Sequence, residues 1–193
     1  MEKFTLRLKR ATKENHTKLD THEFVKGLYK ENNDKNALFY LELHYIILNE
    51  LKELLSEYEN NECFKYFDKD YNIFKLTDLC ELGSVKRVIE KIRQDKKDKI
   101  IFMSHIYIWW LGVLFGGQMI KKLLNKNEGL KEYIDVMFNF ECNNRELIRE
   151  LKDYLNELIS SDECEGRFIK NVNEVYLMIR DIFDEIINKM NKF

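Results

Sequence analysis

The stretch "IIFMSHIYIWWLGVLFGGQMI" (residues 100–120) contains no formally charged residue unless His105 is protonated. It also holds Gly112, Gly116 and Gly117, three of the seven glycines in the chain. A glycine inside a helix costs about 0.5–1 kcal/mol relative to alanine. Two kinds of protein accept that cost. One is a membrane protein whose helices pack through a Gly-x-x-x-Gly seam. The other is a soluble protein whose buried helix brings its backbone close to a flat partner.

The composition of the chain favours the soluble interpretation. Of 193 residues, 34% are charged and 45% are hydrophobic, which is ordinary for a globular protein. The 32 basic and 34 acidic residues give a net charge of -2, which carries no nucleic-acid signal. Ser104, Tyr107 and Gln118 interrupt the apolar stretch, and residues 1–10 lack the apolar run of a secretory signal. We therefore expect a cytoplasmic protein that neither binds nucleic acid nor inserts stably into a membrane.

The cysteines are widely spaced and include no Cys-x-x-Cys pair. They stand at Cys63, Cys80, Cys142 and Cys164. This spacing favours free thiols in a reducing compartment over a disulfide framework or a zinc site.

The rest of the chain has the pattern of helices. Proline is absent, which helices tolerate and turn-rich β proteins rarely do. Apolar residues recur at threes and fours, and they predict helices at about 3–20, 22–30, 35–59, 84–95, 99–125, 128–139, 143–160 and 163–191. No long linker or repeat divides the sequence. We predict one all-α domain over residues 1–193, with the uncharged helix at its centre.

The predicted first helix contains "LKRATKENHTKLDTHEF", residues 8–24. His16 shares a helix face with Asp20, four residues later. His16 can point to the interior while Asp20 accepts a hydrogen bond from its other ring nitrogen, as around a metal-bound imidazole. Lys9 and Lys13 then lie where that face meets solvent. A histidine that is merely on the surface or in the core explains the same residues.

Both stretches resemble segments of the heme oxygenase family. "LKRATKENHTK…EF" is similar to that family's "LKEATKEVHT…EF" segment, whose histidine is the proximal iron ligand. "SHIYIWWLGVLFGGQMIKK", residues 104–122, resembles the family's distal-helix segment, which ends in "YLGDLSGGQ" and basic residues. Between them, "LELHYIILNELKELL", residues 41–55, is similar to a family helix of the form "LYHIYVALEEEIE". The three segments occur in the family's order.

The resemblance implies a single-domain heme oxygenase-like helical bundle, with heme b between the first helix and a kinked distal helix. It makes His16 the metal ligand. Gly112 and Gly116 would face the heme, because a side chain there would occupy the place of O₂. Gly117 would permit the bend. The distal helix is then uncharged because it lines an apolar pocket.

The resemblance also implies cations for the two heme propionates and aromatic side chains along the pocket. The late-helix sequence "RELIRELKDYLNEL", residues 145–158, offers several basic residues. The cofactor-binding residues expected in addition to His16 are Lys9, Lys13, Asp20, Gly117, Arg145, Arg149, Lys152, Tyr176 and Phe183. A solvated helix face and ordinary core packing remain alternatives for the late cations and for the aromatic pair.

This chain departs from the family at two distal positions. Val113 stands where the family has an aspartate that holds distal water, and Phe115 stands where it has a serine. Valine neither accepts nor donates a hydrogen bond, so either another group positions the water or the chemistry is altered. Tyr107 matches a family tyrosine and is the expected substitute for the aspartate. The expected catalytic residues are therefore Tyr107, Gly112 and Gly116. His105 matches a further family histidine.

The implied activity is cleavage of heme, with O₂ and reducing equivalents, to biliverdin, CO and Fe²⁺. Heme would be both substrate and cofactor, with no other cofactor bound. Electrons would come from an external donor of the reductase or ferredoxin type, because the chain has no Gly-x-Gly-x-x-Gly motif. Two alternatives remain. One is a non-catalytic or chemically altered heme-binding protein on the same fold. The other is a helical small-molecule or di-metal enzyme, although no clear Glu-x-x-His pair is present.

Overall fold

The computed structural model describes residues 2–30, 34–55, 78–124, 128–138 and 144–192. Over these ranges the chain forms ten α-helices and no β-strand, which confirms the all-α prediction. The helices are α1 (Phe4–Ala11), α2 (Lys13–Asp20), α3 (Glu23–Gly27), α4 (Asp34–Leu55), α5 (Gly83–Asp95), α6 (Lys99–Phe115), α7 (Gly117–Leu124), α8 (Lys131–Phe138), α9 (Asn144–Leu158) and α10 (Asp162–Met190). Short 3₁₀ turns at Leu79–Glu81 and Glu128–Leu130 precede α5 and α8.

Helix α6 forms the centre of the fold, as its sequence predicted. It begins behind Asp98, whose carboxylate accepts hydrogen bonds from the amides of Ile100 and Ile101 at 3.1 and 3.3 Å. Helices α4, α5, α8, α9 and α10 all pack against α6, and most of its residues are buried. A helix that is apolar on every side supplies a partner for each of these amphipathic neighbours.

Helix α10 connects the first helices to α6. It packs against α6 and also against α1, α2 and α3. Phe168 of α10 meets Phe4 of α1 edge-on, with ring centroids 5.2 Å apart. Arg7 of α1 donates from Nε to both carboxylate oxygens of Glu165, at 2.9 and 3.0 Å. These contacts fix the first helices, and with them His16, on the frame that also holds α6.

Five predicted helices agree with the structure to within a few residues over the described ranges. They are the helices predicted at 35–59, 84–95, 128–139, 143–160 and 163–191, which correspond to α4, α5, α8, α9 and α10. The predicted residues 56–59, 139 and 143 lie outside the described residues, as do Cys63 and Cys142. Cys80 and Cys164 are free thiols.

The prediction of one continuous helix over residues 3–20 is wrong. Helix α1 ends at Ala11 and α2 begins at Lys13. Thr12, between them, is buried, and its hydroxyl donates a hydrogen bond to the carbonyl of Leu8 at 2.9 Å. A threonine hydroxyl that binds the backbone of the preceding turn distorts a helix, which accounts for the interruption.

The predicted helix over residues 22–30 is shorter than expected, because α3 ends at Gly27. The side chain of Asn36, from α4, packs where a Cβ of Gly27 would be. The Asn36 Nδ2 also donates to the carbonyl of Phe24 at 3.0 Å. Residues 28–30 then continue as tight turns. A contact from another helix therefore ends α3 early.

The predicted helix over residues 99–125 is bent by 45° at Gly116, which separates α6 from α7. Within the described residues, no single helix is long and apolar enough to cross a membrane. The bent pair of α6 and α7 has the length and composition for a span only when both parts are taken together. Burial of α6 by five neighbouring helices explains its apolar sequence without lipid.

Candidate functional site

His16, the predicted metal ligand, lies on α2 beside Asp20. Its Nδ1 is 2.9 Å from Oδ2 of Asp20. Its ring meets Tyr176 of α10 edge-on, with centroids 5.7 Å apart. Because Asp20 engages Nδ1, the other ring nitrogen, Nε2, is left to bind a ligand. The structure therefore brings together three of the residues that the sequence placed in one site.

The expectation that His16 points to the interior is wrong. Its side chain is 57% exposed, and that of Asp20 is 64% exposed. No residue of α2 is buried, because the helix is polar along most of its length. It is held instead by surface contacts such as the hydrogen bond from Asn15 Nδ2 to Asn173 Oδ1 at 2.8 Å. His16 therefore presents its ring at the surface.

An exposed face occurs at the end of α6, a helix in which most residues are buried. Gly112, Phe115 and Gly116 are exposed, and so is Met119 of α7. Their spacing of three, four and seven residues is that of one helix face. A Cβ atom added to Gly112 would meet no atom within 4 Å. The backbone of this face, which we call the glycine face, is therefore open to a close approach.

From the sequence we named Phe115 only as a departure from the family, and we did not expect Met119 at the site. Phe115 and Met119 are 67% and 65% exposed, the highest values among the large apolar residues that the structure describes. The signal was present in their spacing from Gly112, at three and seven residues. They extend the apolar surface on both sides of Gly116.

The paired glycines have different surroundings. Gly116 is exposed, and a Cβ there would lie 3.2 Å from the carbonyl oxygen of Gly112. Gly117 is buried, and a Cβ there would lie only 2.7 Å from Cε1 of Phe138. Gly117 thus lets α8 approach α7 closely, and it does not belong to the glycine face. The bend itself lies at Gly116.

Val113 also faces away from the glycine face. Its side chain is fully buried, and its Cγ1 lies 3.7 Å from the Cβ position of Gly117, on the side covered by Phe138. A carboxylate at residue 113 would therefore lie among apolar side chains.

Tyr107 lies on α6 and is half-buried against α10, where its ring meets Phe168 at 6.0 Å. Burial raises the pKa of Tyr107. Burial also raises the pKa of Tyr176, with smaller contributions from Tyr107 and Asp20. Both phenols are therefore protonated at neutral pH and are available as hydrogen-bond donors.

His105 lies in the core and does not reach the glycine face. It is fully buried, with Nε2 2.7 Å from Oδ2 of Asp95 and 3.4 Å from Nδ2 of Asn171. The same Asn171 amide donates to Oγ of Ser104 at 2.8 Å. Burial lowers the pKa of His105. The residue therefore joins α5, α6 and α10 through a buried polar cluster.

The predicted cations have separate positions. Lys9 and Lys13 are exposed and make no ion pair with other described residues. Arg149 is exposed, with Nη2 3.4 Å from Glu146 Oε1 on its own helix. Lys152 extends from α9 so that its Nζ lies 5.3 Å from the ring centroid of Phe115. Lys152 therefore contacts the glycine face through Phe115.

Phe183 packs at a distance from His16. Its ring lies 4.7 Å from that of Phe24 and 5.4 Å from that of His22. It follows Tyr176 by seven residues, or about two turns of α10. The structure therefore separates the predicted aromatic pair and brings only Tyr176 to the candidate ligand. The described residues contain no cluster of three or more His, Cys, Asp or Glu side chains that could hold a metal ion.

The sequence model of the heme oxygenase family, described as "Heme oxygenase", matches residues 2–185. No curated protein sequence matches the chain. Solved structures do match. One is a heme oxygenase from Leptospira interrogans, with a TM-score of 0.76 at 20% identity, over 95% of this chain and 100% of that one.

Two further structures are heme oxygenases from the cyanobacterium Synechocystis sp. PCC6803. Heme oxygenase-1, in complex with heme, has a TM-score of 0.75 at 16% identity, over 99% of this chain and 95% of that one. Heme oxygenase-2, in complex with heme and NO, has a TM-score of 0.75 at 16% identity, over 99% and 88%. Together the structures show that this chain has the heme oxygenase fold.

Proposed function

Since the chain belongs to the heme oxygenase family, we propose that it binds heme b between α2 and the glycine face and oxidises it to biliverdin, CO and Fe²⁺. Heme is then both the substrate and the cofactor. When bound, it supplies the iron that activates O₂ and the ring that is cleaved. Electrons come from an external donor of the reductase or ferredoxin type.

The observation that carries this proposal is the His16–Asp20 pair. A heme iron is commonly held by one histidine, and a ligating histidine usually donates its other N–H to a carboxylate or carbonyl. Asp20 holds Nδ1 at 2.9 Å, which fixes the tautomer that leaves the Nε2 lone pair for iron. The edge of Tyr176 orients the same ring.

The glycine face fits the opposite side of a porphyrin. Gly112 and Gly116 carry no side chain on a surface where their neighbours Phe115 and Met119 are large and apolar. A flat apolar ring can lie against such a face with a gas molecule between the iron and the backbone. Water is excluded by the apolar side chains on either side.

The cations fit the propionates of heme. Lys9 and Lys13 precede His16 on the exposed side of the first helices. Lys152 lies on Phe115, at the glycine face. A carboxylate that replaces solvent around any of these ammonium groups gains a charge-assisted hydrogen bond. We assign Arg149 a smaller part, because it is bound to Glu146 on its own helix.

Tyr107 supplies a protonated donor on α6, because burial raises the pKa of its phenol. It lies five residues before Gly112, which is about 7.5 Å along the helix axis and about 140° around it. We propose that it orders water near the glycine face, in the part that an aspartate plays elsewhere in the family.

A single-turnover reaction tests the activity. The purified protein, loaded with one equivalent of hemin, is reduced by ascorbate or by a ferredoxin reductase system, with and without catalase. The expected result is loss of the Soret band with formation of biliverdin, unchanged by catalase. The matched control is His16→Ala, which should form little biliverdin.

A second function on the same site is favoured by one observation, the burial of Val113. With no carboxylate there, the protein can bind heme as a carrier, sensor or store without opening the ring. Stable heme binding through His16 that yields no biliverdin in the single-turnover reaction would select this second function.

A further inference from the structure

Trp109 carries a buried polar atom without a partner. The side chain is 2% exposed, and its indole Nε1–H has no hydrogen-bond acceptor among the residues that the structure describes. Buried donors are satisfied in nearly all proteins, either by protein atoms or by an internal water. We therefore expect a polar neighbour of Trp109 that a water can connect to its indole N–H.

His44 of α4 is that neighbour. Its ring lies 5.6 Å from the Trp109 ring, at an angle of 73°. His44 Nδ1 lies 2.9 Å from the carbonyl oxygen of Tyr40, so Nδ1 carries the hydrogen and donates it. The Tyr40 ring stacks on the imidazole at 4.1 Å and holds its orientation.

The imidazole therefore presents an acceptor. Burial lowers the pKa of His44 to about 4, so the ring is neutral at pH 7. With the hydrogen on Nδ1, the lone pair is on Nε2. A donor from Trp109 and an acceptor from His44 are the two partners that a bridging water needs.

Trp109 connects this pair to the distal segment. Trp109 precedes Gly112 by three residues and Val113 by four, which places the three positions on adjoining parts of one helix turn. Trp109 is thus close to the position where the family carries its water-holding aspartate and where this chain has an apolar side chain.

We propose that Trp109 and His44 hold one ordered water between them, and that this water adds to the proton supply that Tyr107 orders for the glycine face. The inference rests on the proposed function. The water accepts from Trp109 Nε1–H and donates to His44 Nε2, and it keeps one O–H and one lone pair for further water towards Gly112. Both side chains are positioning residues in this scheme.

The first experiment needs no heme. In ¹⁵N-labelled full-length protein, the Trp109 indole signal is assigned from its absence in Trp109→Phe. We expect a cross peak between this indole N–H and a bound water, and its loss in His44→Phe, which keeps a ring but removes the acceptor. Trp110→Phe is the matched control, because it removes the adjacent, equally buried indole and should leave the cross peak in place.

The second experiment uses the heme-loaded protein. With carbon monoxide as the probe of the ferrous heme, we expect the C–O stretching frequency to shift in both His44→Phe and Trp109→Phe and to stay constant in Trp110→Phe. Biliverdin yield in a single turnover should fall by about tenfold in the first two variants. His44→Gln, which restores an acceptor, should recover part of that yield.

The outcomes separate the two proposals. A cross peak that persists in His44→Phe, or a C–O frequency that is the same in all variants, overturns the bridging water even if biliverdin forms. Failure of wild type to bind heme overturns the proposed function, while the heme-free cross peak still decides whether Trp109 and His44 share a water.

Discussion

Helix α2 lies on the surface with none of its residues buried, whereas α6 is covered by five neighbours and, apart from Lys99 at its start, is exposed only at the glycine face. The proposed heme site takes one side from each. On α2 the functional group is a side chain, His16, oriented by the exposed carboxylate of Asp20. On α6 the functional group is the exposed backbone at Gly112 and Gly116. Its position depends on the packing of α6 against its neighbours. Substitutions on α2 should therefore change function with little effect on stability, and those on α6 should change both.

The largest effect on stability is expected for Val113→Asp. Val113 is fully buried beside Gly117 and Phe138, and a buried charge without a partner costs about 3–5 kcal/mol. Urea unfolding at pH 7 measures the loss, with Val113→Thr as the control of similar shape. If Val113→Asp is as stable as wild type and also raises biliverdin yield, residue 113 faces the heme. The assignment of Val113 to the buried side of α6 would then be wrong.

A pH-dependent effect is expected from His44, a buried histidine packed against α6. Burial lowers its pKa to about 4, against about 6.5 in the unfolded chain. The unfolded state therefore binds the proton more readily, so His44 lowers stability as pH falls from about 6.5 through 4, by about 3 kcal/mol in total.

The His44→Phe variant tests this by urea unfolding between pH 7 and pH 4.5. Its free energy of unfolding should fall less steeply with decreasing pH than that of wild type. His44→Gln, which cannot titrate, should follow the same shallow course. Parallel curves for wild type and both variants would show that His44 is not a buried neutral group.

Gly117→Ala should destabilise the fold by about 1–3 kcal/mol, because its Cβ would lie 2.7 Å from a ring carbon of Phe138. The added variant Phe138→Leu should recover part of the loss by opening space. The thermal midpoint of unfolding measures both. An unchanged midpoint in Gly117→Ala would mean that α7 and α8 adjust freely and that Gly117 serves some other purpose.

Gly112→Ala should have the smallest effect on stability, and it should stabilise the fold where the preceding variants destabilise it. Outside its own helix backbone and its chain neighbours, no atom of the described residues lies within 4 Å of its Cβ position, and alanine is favoured over glycine in a helix by about 0.5–1 kcal/mol. The same methyl group would stand on the glycine face and weaken heme binding. Hemin titration and thermal unfolding of one sample show whether stability rises while affinity falls; a loss of both would contradict the account.

The sequence predicted those helices whose burial can be seen from the apolar or polar character of their own residues. The uncharged stretch of α6 and the apolar periods of α4 and α10 depend on which side chains avoid water, and this information is local. The breaks at Thr12 and Gly27 depend on single hydrogen bonds and on Asn36 from another helix. Such contacts exist only in the folded chain.

In the candidate site, too, some features follow from local spacing in the sequence and others depend on contacts from distant helices. The pairing of His16 with Asp20 follows from a spacing of four residues, and the structure shows it. Gly112 and Gly117 look alike in sequence, and only the position of Phe138 distinguishes an open glycine from a packed one. His105 shares the helix-face spacing of Gly112, but Asp95 and Asn171 enclose it in the core.

Hemin titration of wild type and His16→Ala tests whether His16 is the iron ligand. Lys18→Ala is the control, because Lys18 is an exposed residue of α2 paired with Glu14. We expect one heme per wild-type and Lys18→Ala chain, with the same Soret band. We expect weaker binding and a shifted Soret band in His16→Ala, restored by added imidazole. Identical spectra and affinities in wild type and His16→Ala would show that His16 does not bind the iron.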